Sequence, residues 1–316
     1  MSRDVIQTGI ELVRTRYVFP DKAAELVSAM EASLAAGEYD GLDNVALGER
    51  ITAQMFEVCR DRHLRFRPRH ADMGSTLSEP ELEAAWREGE RISNYRVARV
   101  ERLDGNIGYI DLRGIASPDR GGPAITAAME LVAHTYALIF DLRRNSGGSP
   151  DGVQFWCSYL VPDSQTHLNS IFDAESGQTK QFWSLAYVPG ERYLDRPVYV
   201  LTSETTFSGG EELCYNLQAL GRATLIGQTT RGGAHPTMRL PLSDTLEITV
   251  PVARSINPIT QTNWEGTGVE PDVAVPAAEA YSVAYRRALE HVLESSAVAP
   301  PPSVRDEARA ALDALD

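Results

Sequence analysis

A serine lies on a glycine-rich turn between two regular segments in the middle of the sequence. The apolar run at 198–201 predicts a buried strand, residues 211–220 predict a helix, and Thr-Thr-Phe-Ser-Gly-Gly at 205–210 joins them. Flanking glycines let a substrate backbone approach a serine on such a turn. Amides at a helix N-terminus can stabilise an oxyanion. A serine nucleophile would be useful at such a place, so Ser208 is a candidate for that role.

A second interpretation of the same residues is structural. Ser208 and Glu211 form an S-x-x-E pattern, which is typical of a capping box that satisfies helix amides. The segment alone does not decide between a nucleophile and a cap.

A serine nucleophile needs a general base within hydrogen-bonding reach. The sequence has two lysines, Lys22 in a predicted helix and Lys180 in a predicted hairpin, and neither adjoins a glycine-rich turn. A histidine base is therefore favoured. Six histidines are present: His63, His70, His134, His167, His235 and His291.

The histidines differ in their sequence surroundings. His134 and His291 fall inside predicted helices, where a structural or exposed role is expected. His63 lies where a predicted helix meets a strand, and His235 lies in a glycine-rich loop. Taken alone, either of these two is equally typical of an ordinary loop histidine.

Two further glycine-rich turns follow predicted strands. In the turn at 141–148, the backbone amides could supply a second oxyanion donor. In the turn at 264–272, Glu265 is a candidate for orienting a histidine. In purely structural terms, the first turn is an ordinary strand-to-helix loop, and Glu265 in the second is an exposed turn carboxylate.

The periodicity of apolar residues predicts an α/β protein with a helical beginning. Residues 1–75 are expected to form a small bundle of short helices, 76–94 a connector, 95–298 the alternating core and 299–316 a peripheral tail. The predicted segments are helices at 21–36, 44–59, 123–136, 152–160, 211–220 and 277–294, strands at 106–113, 137–142, 198–201, 223–227, 238–242 and 246–252, and a hairpin that turns at 176–177.

Composition limits the classes of function. A net charge of −14 over 316 residues disfavours nucleic acid as a partner, because phosphate binding needs a basic surface. The three cysteines are widely spaced and form no C-x-x-C pair, which favours small core residues over a metal or disulfide framework. No apolar run reaches the about 18 residues of a membrane span. A cytoplasmic protein without a membrane partner is expected.

Four motifs occur in order: DLRxNxGG at 141–148, TSxxTFSGGEE at 202–212, GxTTRGGAHP at 227–236 and EGxGVxPD at 265–272. Together they resemble the C-terminal-processing (tail-specific) serine peptidases. The earlier stretches YVFPDKAAEL, GEYDGL and DRHLRF resemble the branch that contains interphotoreceptor retinoid-binding protein and its bacterial relatives. The resemblance implies a helical N-terminal domain followed by a crotonase-like ββα spiral.

The resemblance also implies site residues. Gly233 stands where the processing branch has its catalytic lysine, so a Ser-Lys dyad is not expected. The tricorn-like branch uses serine, histidine and glutamate, which correspond here to Ser208 as nucleophile, His63 as general base and Glu265 as the orienting carboxylate. Gly209 and Gly147 would supply the oxyanion amides. Neither a metal nor an organic cofactor is implied.

Three functions remain open. The first is a serine peptidase that acts on peptides or unfolded chain ends, either as a monomer or as a homo-oligomer. The second is a non-catalytic carrier of retinoids, fatty acids or other apolar ligands, which two departures from the peptidase patterns favour. Arg62 precedes the histidine where the tricorn-like pattern often has a small residue, and the stretch after His63 is too short for a PDZ domain. The third, an acyl-CoA enzyme on the same spiral, has no motif support.

Overall fold

The computed structural model describes residues 3–69, 79–162, 164–294 and 300–315. His70 and the predicted domain boundary at residue 75 lie outside them. Within the described residues the helices are α1 Arg3–Arg16, α2 Pro20–Ala35, α3 Asn44–Cys59, α4 Glu79–Ile92, α5 Pro118–Val132, α6 Pro150–Ser158, α7 Gly209–Ala219, α8 Ala280–Glu294 and α9 Pro302–Asp313. The strands are β1 Arg65–Pro68, β2 Val97–Leu103, β3 Ile107–Leu112, β4 Ala137–Asp141, β5 His167–Asp173, β6 Thr179–Trp183, β7 Val198–Thr202, β8 Thr224–Gly227, β9 Thr237–Pro241, β10 Leu246–Pro251, β11 Ala253–Ile256 and β12 Val273–Ala274.

One compact unit combines residues 1–87 with the later segments 170–180 and 233–256. Its helices α1 to α3 share an apolar core with the antiparallel sheet β1-β10-β9. The alternate residues Leu246, Ile248 and Val250 of β10 are fully buried in that core. The helices predicted from the first 75 residues therefore pack against strands that lie much later in the chain.

The third helix leads directly to a candidate site residue. Asp43 caps its N-terminus, because the Asp43 carboxylate accepts hydrogen bonds from the amides of Val45 and Ala46, both at 2.9 Å. The helix ends at Cys59, and Arg60 caps it with a left-handed φ of 54° that turns the chain out of the helical direction. Residues 61–64, which include His63, follow this turn and lead to β1.

The second unit comprises residues 88–169, 181–232 and 257–316. Its six-stranded sheet has the order β12-β8-β7-β4-β3-β2, in which neighbouring strands run parallel except for the antiparallel pair β2 and β3. All residues of β3, β4 and β7 are buried, as is typical of parallel strands covered on both faces. The carboxyl ends of parallel strands share one edge, so the loops after β4 and β7 come together there.

Two predictions in this unit need correction. The helix expected at 123–136 begins at Pro118, since Pro118 takes the first helical position and Pro123 lies inside the helix. The tail after residue 299, expected to be peripheral, contains α9, which packs against α8 and fully buries Ala308. A short amphipathic helix close to the chain end is poorly signalled by composition.

A third sheet has the strand order β11-β5-β6. The hairpin predicted around 176–177 is present as β5 and β6, and β11 pairs antiparallel with β5. The sequence did not predict β2, β11 or β12, because these strands are short or half exposed and lack a continuous apolar run. Among the described residues, helices of the length and apolarity needed to cross a membrane do not occur.

Candidate active site

Ser208 occupies a strained position between β7 and α7. Its φ of 53° and ψ of −123° place a non-glycine residue in a conformation that side chains rarely adopt. An ordinary N-cap residue has an extended backbone with a negative φ. In the α/β-hydrolases, strain at a strand-to-helix turn exposes the nucleophilic serine. The predicted strand, turn and helix are confirmed, and so is the predicted capping box, although the backbone of Ser208 has a conformation that an ordinary N-cap residue does not adopt.

The Glu211 carboxylate stabilises this turn. Its Oε2 accepts the amide of Ser208 at 2.8 Å, which is the glutamate half of the predicted capping box. Its Oε1 accepts both the hydroxyl of Thr230 at 2.5 Å and the amide of Gly232 at 2.6 Å. Glu211 is fully buried, so its charge is held by these charge-assisted bonds. The serine turn and the loop after β8 are thereby tied to one carboxylate.

The loop after β4 lies directly against Ser208. A Cβ added to Gly147 would lie 2.6 Å from the Ser208 Cβ and 3.0 Å from the Gly209 nitrogen. Only glycine allows this approach, and its φ of 94° also favours glycine. The structure therefore brings Gly147, Ser208 and Gly209 together within the second unit.

The amide of Gly147 already has an acceptor, since it donates to Asn145 Oδ1 at 2.8 Å. The next amide offers an alternative that the sequence did not single out. A Cβ added to Gly209 would lie 3.0 Å from the Gly148 nitrogen, so the amides of Gly148 and Gly209 occupy neighbouring positions. The repeated glycine in the motif at 147–148 was the available signal.

Asn145 connects the two loops. It is fully buried, its Nδ2 donates to the Leu112 carbonyl at 2.8 Å, and its own carbonyl accepts the Phe207 amide at 3.0 Å. A Cβ added to Gly210 would lie 2.5 Å from Asn145 Oδ1, which explains the second glycine after the serine. The side chain and the carbonyl of this one residue therefore link the end of β3, the loop after β4 and the serine turn.

The loop that carries Glu265 packs against the loop after β8. The Gly266 amide donates to the Gly232 carbonyl at 3.1 Å, and the Val269 amide donates to the Thr230 hydroxyl at 2.8 Å. Because Thr230 and Gly232 are also the partners of Glu211, the structure connects the Glu265 loop to the serine turn through two intermediate residues. The backbone amide of Glu265 itself donates to Asn263 Oδ1 at 2.9 Å.

His63 belongs to the first unit and is half buried. Its amide donates to Asp61 Oδ1 at 2.9 Å, and its carbonyl accepts the Thr249 hydroxyl at 2.5 Å. The guanidinium of the neighbouring Arg62 lies 4.1 Å from the centre of the Phe56 ring. Arg62 is therefore directed onto α3.

Asp61 also binds His235 within this unit. The Asp61 Oδ2 lies 2.7 Å from His235 Nδ1 and 3.2 Å from the Tyr17 hydroxyl, and all three side chains are buried. Burial and the Asp61 carboxylate raise the pKa of Tyr17, so the phenol remains a proton donor. The sequence named His235 as a candidate base but missed Asp61. An acidic residue two positions before His63 was the only local signal.

Glu212 is a buried carboxyl group one turn into α7. Burial raises its pKa to about 8, although the hydrogen bond from Asn169 Nδ2 at 3.1 Å opposes this shift. Burial likewise raises the pKa of the thiols of Cys157 and Cys214. The two thiols therefore remain protonated core groups, as the sequence predicted.

Residues 106–275 match the model of peptidase family S41. This range is more than half of the chain and includes Gly147, Ser208 and Glu265, whereas His63 precedes it. The chain belongs to peptidase family S41. The four ordered motifs that resembled the processing peptidases all lie within the matched range of this S41 chain.

The chain is also similar in sequence to a known peptidase and in fold to solved structures. The chloroplastic carboxyl-terminal-processing peptidase 2 of Arabidopsis thaliana is 30% identical over 216 residues, which cover 63% of this S41 chain and 39% of that protein. A structure of a candidate peptidase from Parabacteroides merdae has a TM-score of 0.59 at 19% identity and covers 87% of this chain and 89% of its own. A photosystem II D1 C-terminal processing protease has a TM-score of 0.51 at 16% identity over 88% of this chain and 94% of its own. The two solved structures show a shared mixed α/β fold.

Proposed function

We propose that this S41 chain is a serine-type peptidase that hydrolyses peptide bonds by acyl transfer. The observation that carries the proposal is the strained backbone of Ser208, held by the buried Glu211 carboxylate at the start of α7. Strain of this kind costs about 1–3 kcal/mol and persists where the surroundings fix it, often at catalytic groups. A serine that only caps a helix needs none of it.

The proposed reaction follows the serine-histidine-carboxylate scheme. His63 takes the proton of the Ser208 hydroxyl as its oxygen attacks the peptide carbonyl carbon, and Glu265 stabilises the resulting imidazolium. The imidazolium then donates this proton to the leaving amine. Water attacks the acyl-enzyme with His63 again acting as base, and the ester bond to Ser208 breaks as His63 returns the proton to the serine oxygen. The roles of His63 and Glu265 rest on the motif resemblance.

Backbone amides of the loop after β4 and of the serine turn would bind the oxyanion. Gly209 is one donor. Gly147, predicted from the sequence, can serve as the second only if its amide leaves Asn145 Oδ1, whereas the adjacent Gly148 amide needs no such exchange. We therefore propose Gly209 with Gly148 as the principal pair and keep Gly147 as the alternative second donor.

The detailed fold, the branch of the S41 family and the substrate class are also proposals. The succession of parallel strands β3, β4 and β7, each followed by a helix, supports a crotonase-like ββα spiral in the second unit, and helices α1 to α3 support a helical N-terminal bundle. Gly233 in place of the catalytic lysine supports the retinoid-binding-protein-like or tricorn-like branch. Peptides or unfolded protein segments are the proposed substrates, and the net charge of −14 opposes nucleic acid.

A fluorophosphonate probe tests the proposal directly, because it modifies an activated serine much faster than an ordinary one. We expect the native chain to be labelled and both Ser208→Ala and His63→Ala to lose labelling. Ser282→Ala, which removes an exposed serine on α8, is the matched control and should label like the native chain.

The opposite result would change the assignment. A folded native chain that resists labelling contradicts the peptidase proposal and favours the apolar-ligand carrier. Retinoid and fatty-acid binding would then be measured by fluorescence. Labelling that survives His63→Ala but not Ser208→Ala would keep the nucleophile and reject the proposed base.

A further inference from the structure

Arg231 lies in the loop after β8 and is fixed relative to the serine turn. Its backbone amide donates to the Thr206 carbonyl at 3.0 Å. The amide of the following residue, Gly232, donates to Glu211 Oε1 at 2.6 Å. Both acceptors belong to the strand-to-helix turn that contains Ser208, so the backbone of Arg231 cannot move independently of the proposed nucleophile.

The side chain of Arg231 extends over the residue that precedes the serine. Its guanidinium carbon lies 4.9 Å from the centre of the Phe207 ring, while the residue as a whole is exposed. A guanidinium held over an aromatic face keeps its N–H groups, which lie in its own plane, available for an acceptor. The ring therefore orients the cation without neutralising it.

Other arginines of the same unit near the carboxyl ends of the strands are paired with acids. Arg143 binds Asp141 at 2.6 Å, and Arg144 binds Asp111 at 2.7 Å. Within the described residues, Arg231 forms no ion pair with an acidic side chain. An exposed cation without an acidic partner is notable in a chain whose net charge is −14.

We propose that Arg231 binds a carboxylate of the peptide substrate close to the bond that Ser208 cleaves. The inference rests on the proposed function and narrows its substrate class. Arginine can hold a carboxylate through two parallel hydrogen bonds, and its position beside Ser208 brings such a group within a few residues of the scissile bond. The carboxylate can come from an acidic side chain or from the free C-terminus of the substrate.

Four fluorogenic peptides separate the two sources. They share one cleavable sequence and carry either glutamate or glutamine next to the cleaved bond, each with a free or an amidated C-terminus. An exposed charge-assisted contact worth about 1–2 kcal/mol corresponds to roughly a 5- to 30-fold preference in kcat/KM. The native chain should show this preference for one carboxylate over its amide counterpart. The pair of peptides that shows it identifies the source.

Substitutions at Arg231 then assign the preference to this side chain. Arg231→Gln should reduce kcat/KM for the carboxylate peptide about tenfold more than for the matching amide peptide. Arg231→Lys should retain part of the preference, and Arg231→Glu should reverse it. Arg254→Gln is the matched control, because Arg254 is another exposed guanidinium over aromatic rings, those of Phe19 and Phe172 in the first unit.

The inference is overturned if the native chain has no carboxylate preference, if Arg231→Gln keeps it, or if Arg254→Gln removes it equally. Its failure is distinguishable from failure of the peptidase proposal. Fluorophosphonate labelling reports on the nucleophile, and fluorescence anisotropy of the same four peptides on the Ser208→Ala protein reports on Arg231 without catalysis. Stronger binding of the carboxylate peptide that Arg231→Gln abolishes supports the inference, whereas equal or undetectable binding rejects it.

Discussion

Asp61 and His235 are joined by a buried hydrogen bond of 2.7 Å although 174 residues separate them in the chain. The other oxygen of Asp61 accepts the amide of His63. The pair therefore connects the loop 233–236 to the short segment that presents the proposed general base. Residues of the first unit alone account for these contacts.

We expect His235→Ala to destabilise the protein strongly. The substitution leaves the buried Asp61 carboxylate with one fewer hydrogen-bond partner, and a buried acceptor that loses its partner costs about 1–3 kcal/mol, or more when it is charged. Urea unfolding followed by circular dichroism measures the change in the free energy of unfolding. His134→Ala is the matched control, because the His134 side chain is 81% exposed and lies 3.9 Å from Glu191, and it should change stability little. Equal effects of the two substitutions would show that the hydrogen bond between Asp61 and His235 does not contribute measurably to the free energy of unfolding.

Glu211→Gln is expected to slow fluorophosphonate labelling of Ser208 by at least about tenfold, because the loss of one charge-assisted acceptor costs about 1–3 kcal/mol and releases the strained turn. Glutamine offers a single acceptor oxygen, whereas Glu211 uses both oxygens for three donors. The rate constant of labelling is the measurement. Glu204→Gln, at an exposed position just before the turn, is the control. An unchanged rate in Glu211→Gln would mean that the conformation of Ser208 does not depend on this carboxylate.

Gly147→Ala should abolish labelling, whereas Gly221→Ala should not. Both glycines have a positive φ, 94° and 63°, so each alanine pays about 1–2 kcal/mol of backbone strain. Only the Cβ at Gly147 would also collide with Ser208, at 2.6 Å, since the Cβ at Gly221 meets no atom within 4 Å. Comparing the two variants separates backbone strain from steric displacement of the serine. Labelling of Gly147→Ala at the native rate would contradict the packing described for the two loops.

The raised pKa of Glu212 predicts a specific dependence of stability on pH. The folded protein keeps this carboxyl protonated up to a pKa of about 8, while the unfolded chain ionises it near its usual pKa of 4.5. The contribution to stability is therefore complete below the unfolded pKa and is lost as pH rises toward 8, at up to about 1.4 kcal/mol per pH unit. Glu212→Gln should remove this loss. The free energy of unfolding of the variant, relative to that of the native protein, should therefore rise between pH 6 and pH 8.

Urea midpoints at the two pH values provide the measurement for Glu212. Glu290→Gln, which changes an exposed carboxyl group on α8, should follow the native pH dependence. If native protein and Glu212→Gln keep a constant difference across this range, Glu212 is ionised throughout it.

Local signals predicted the elements that local forces determine. The bounds expected for α3 agree with the structure, since an acid at the N-terminus and helical spacing of apolar residues are both readable from the sequence. The fully buried strands β4 and β7 were predicted from continuous apolar runs. In contrast, β2 is half exposed, and α9 is a short helix whose one fully buried residue is Ala308, so neither was predicted from an apolar run.

The candidate site shows the same division. The glycines around Ser208 indicated the turn, and its place between β7 and α7 is confirmed. The bonds from Asn145 to the serine turn and from Asp61 to His235 join residues far apart in the chain, and no spacing rule relates them. The roles predicted for His63, Glu265, Gly209 and Gly147 stay predictions, and the labelling experiments address His63 and Gly147.

Asn145 has a consequence for the kinetics of opening. Since its buried side chain and carbonyl bind β3, its own loop and the serine turn, these segments can separate from one another only by breaking several shielded hydrogen bonds together. Amide hydrogens of Gly147 and Phe207 should therefore exchange with deuterium as slowly as those in the centre of the sheet, although both residues lie in loops. The catalytic region would then belong to the slowest cooperative opening unit of the protein, and binding of a substrate would find its geometry already formed.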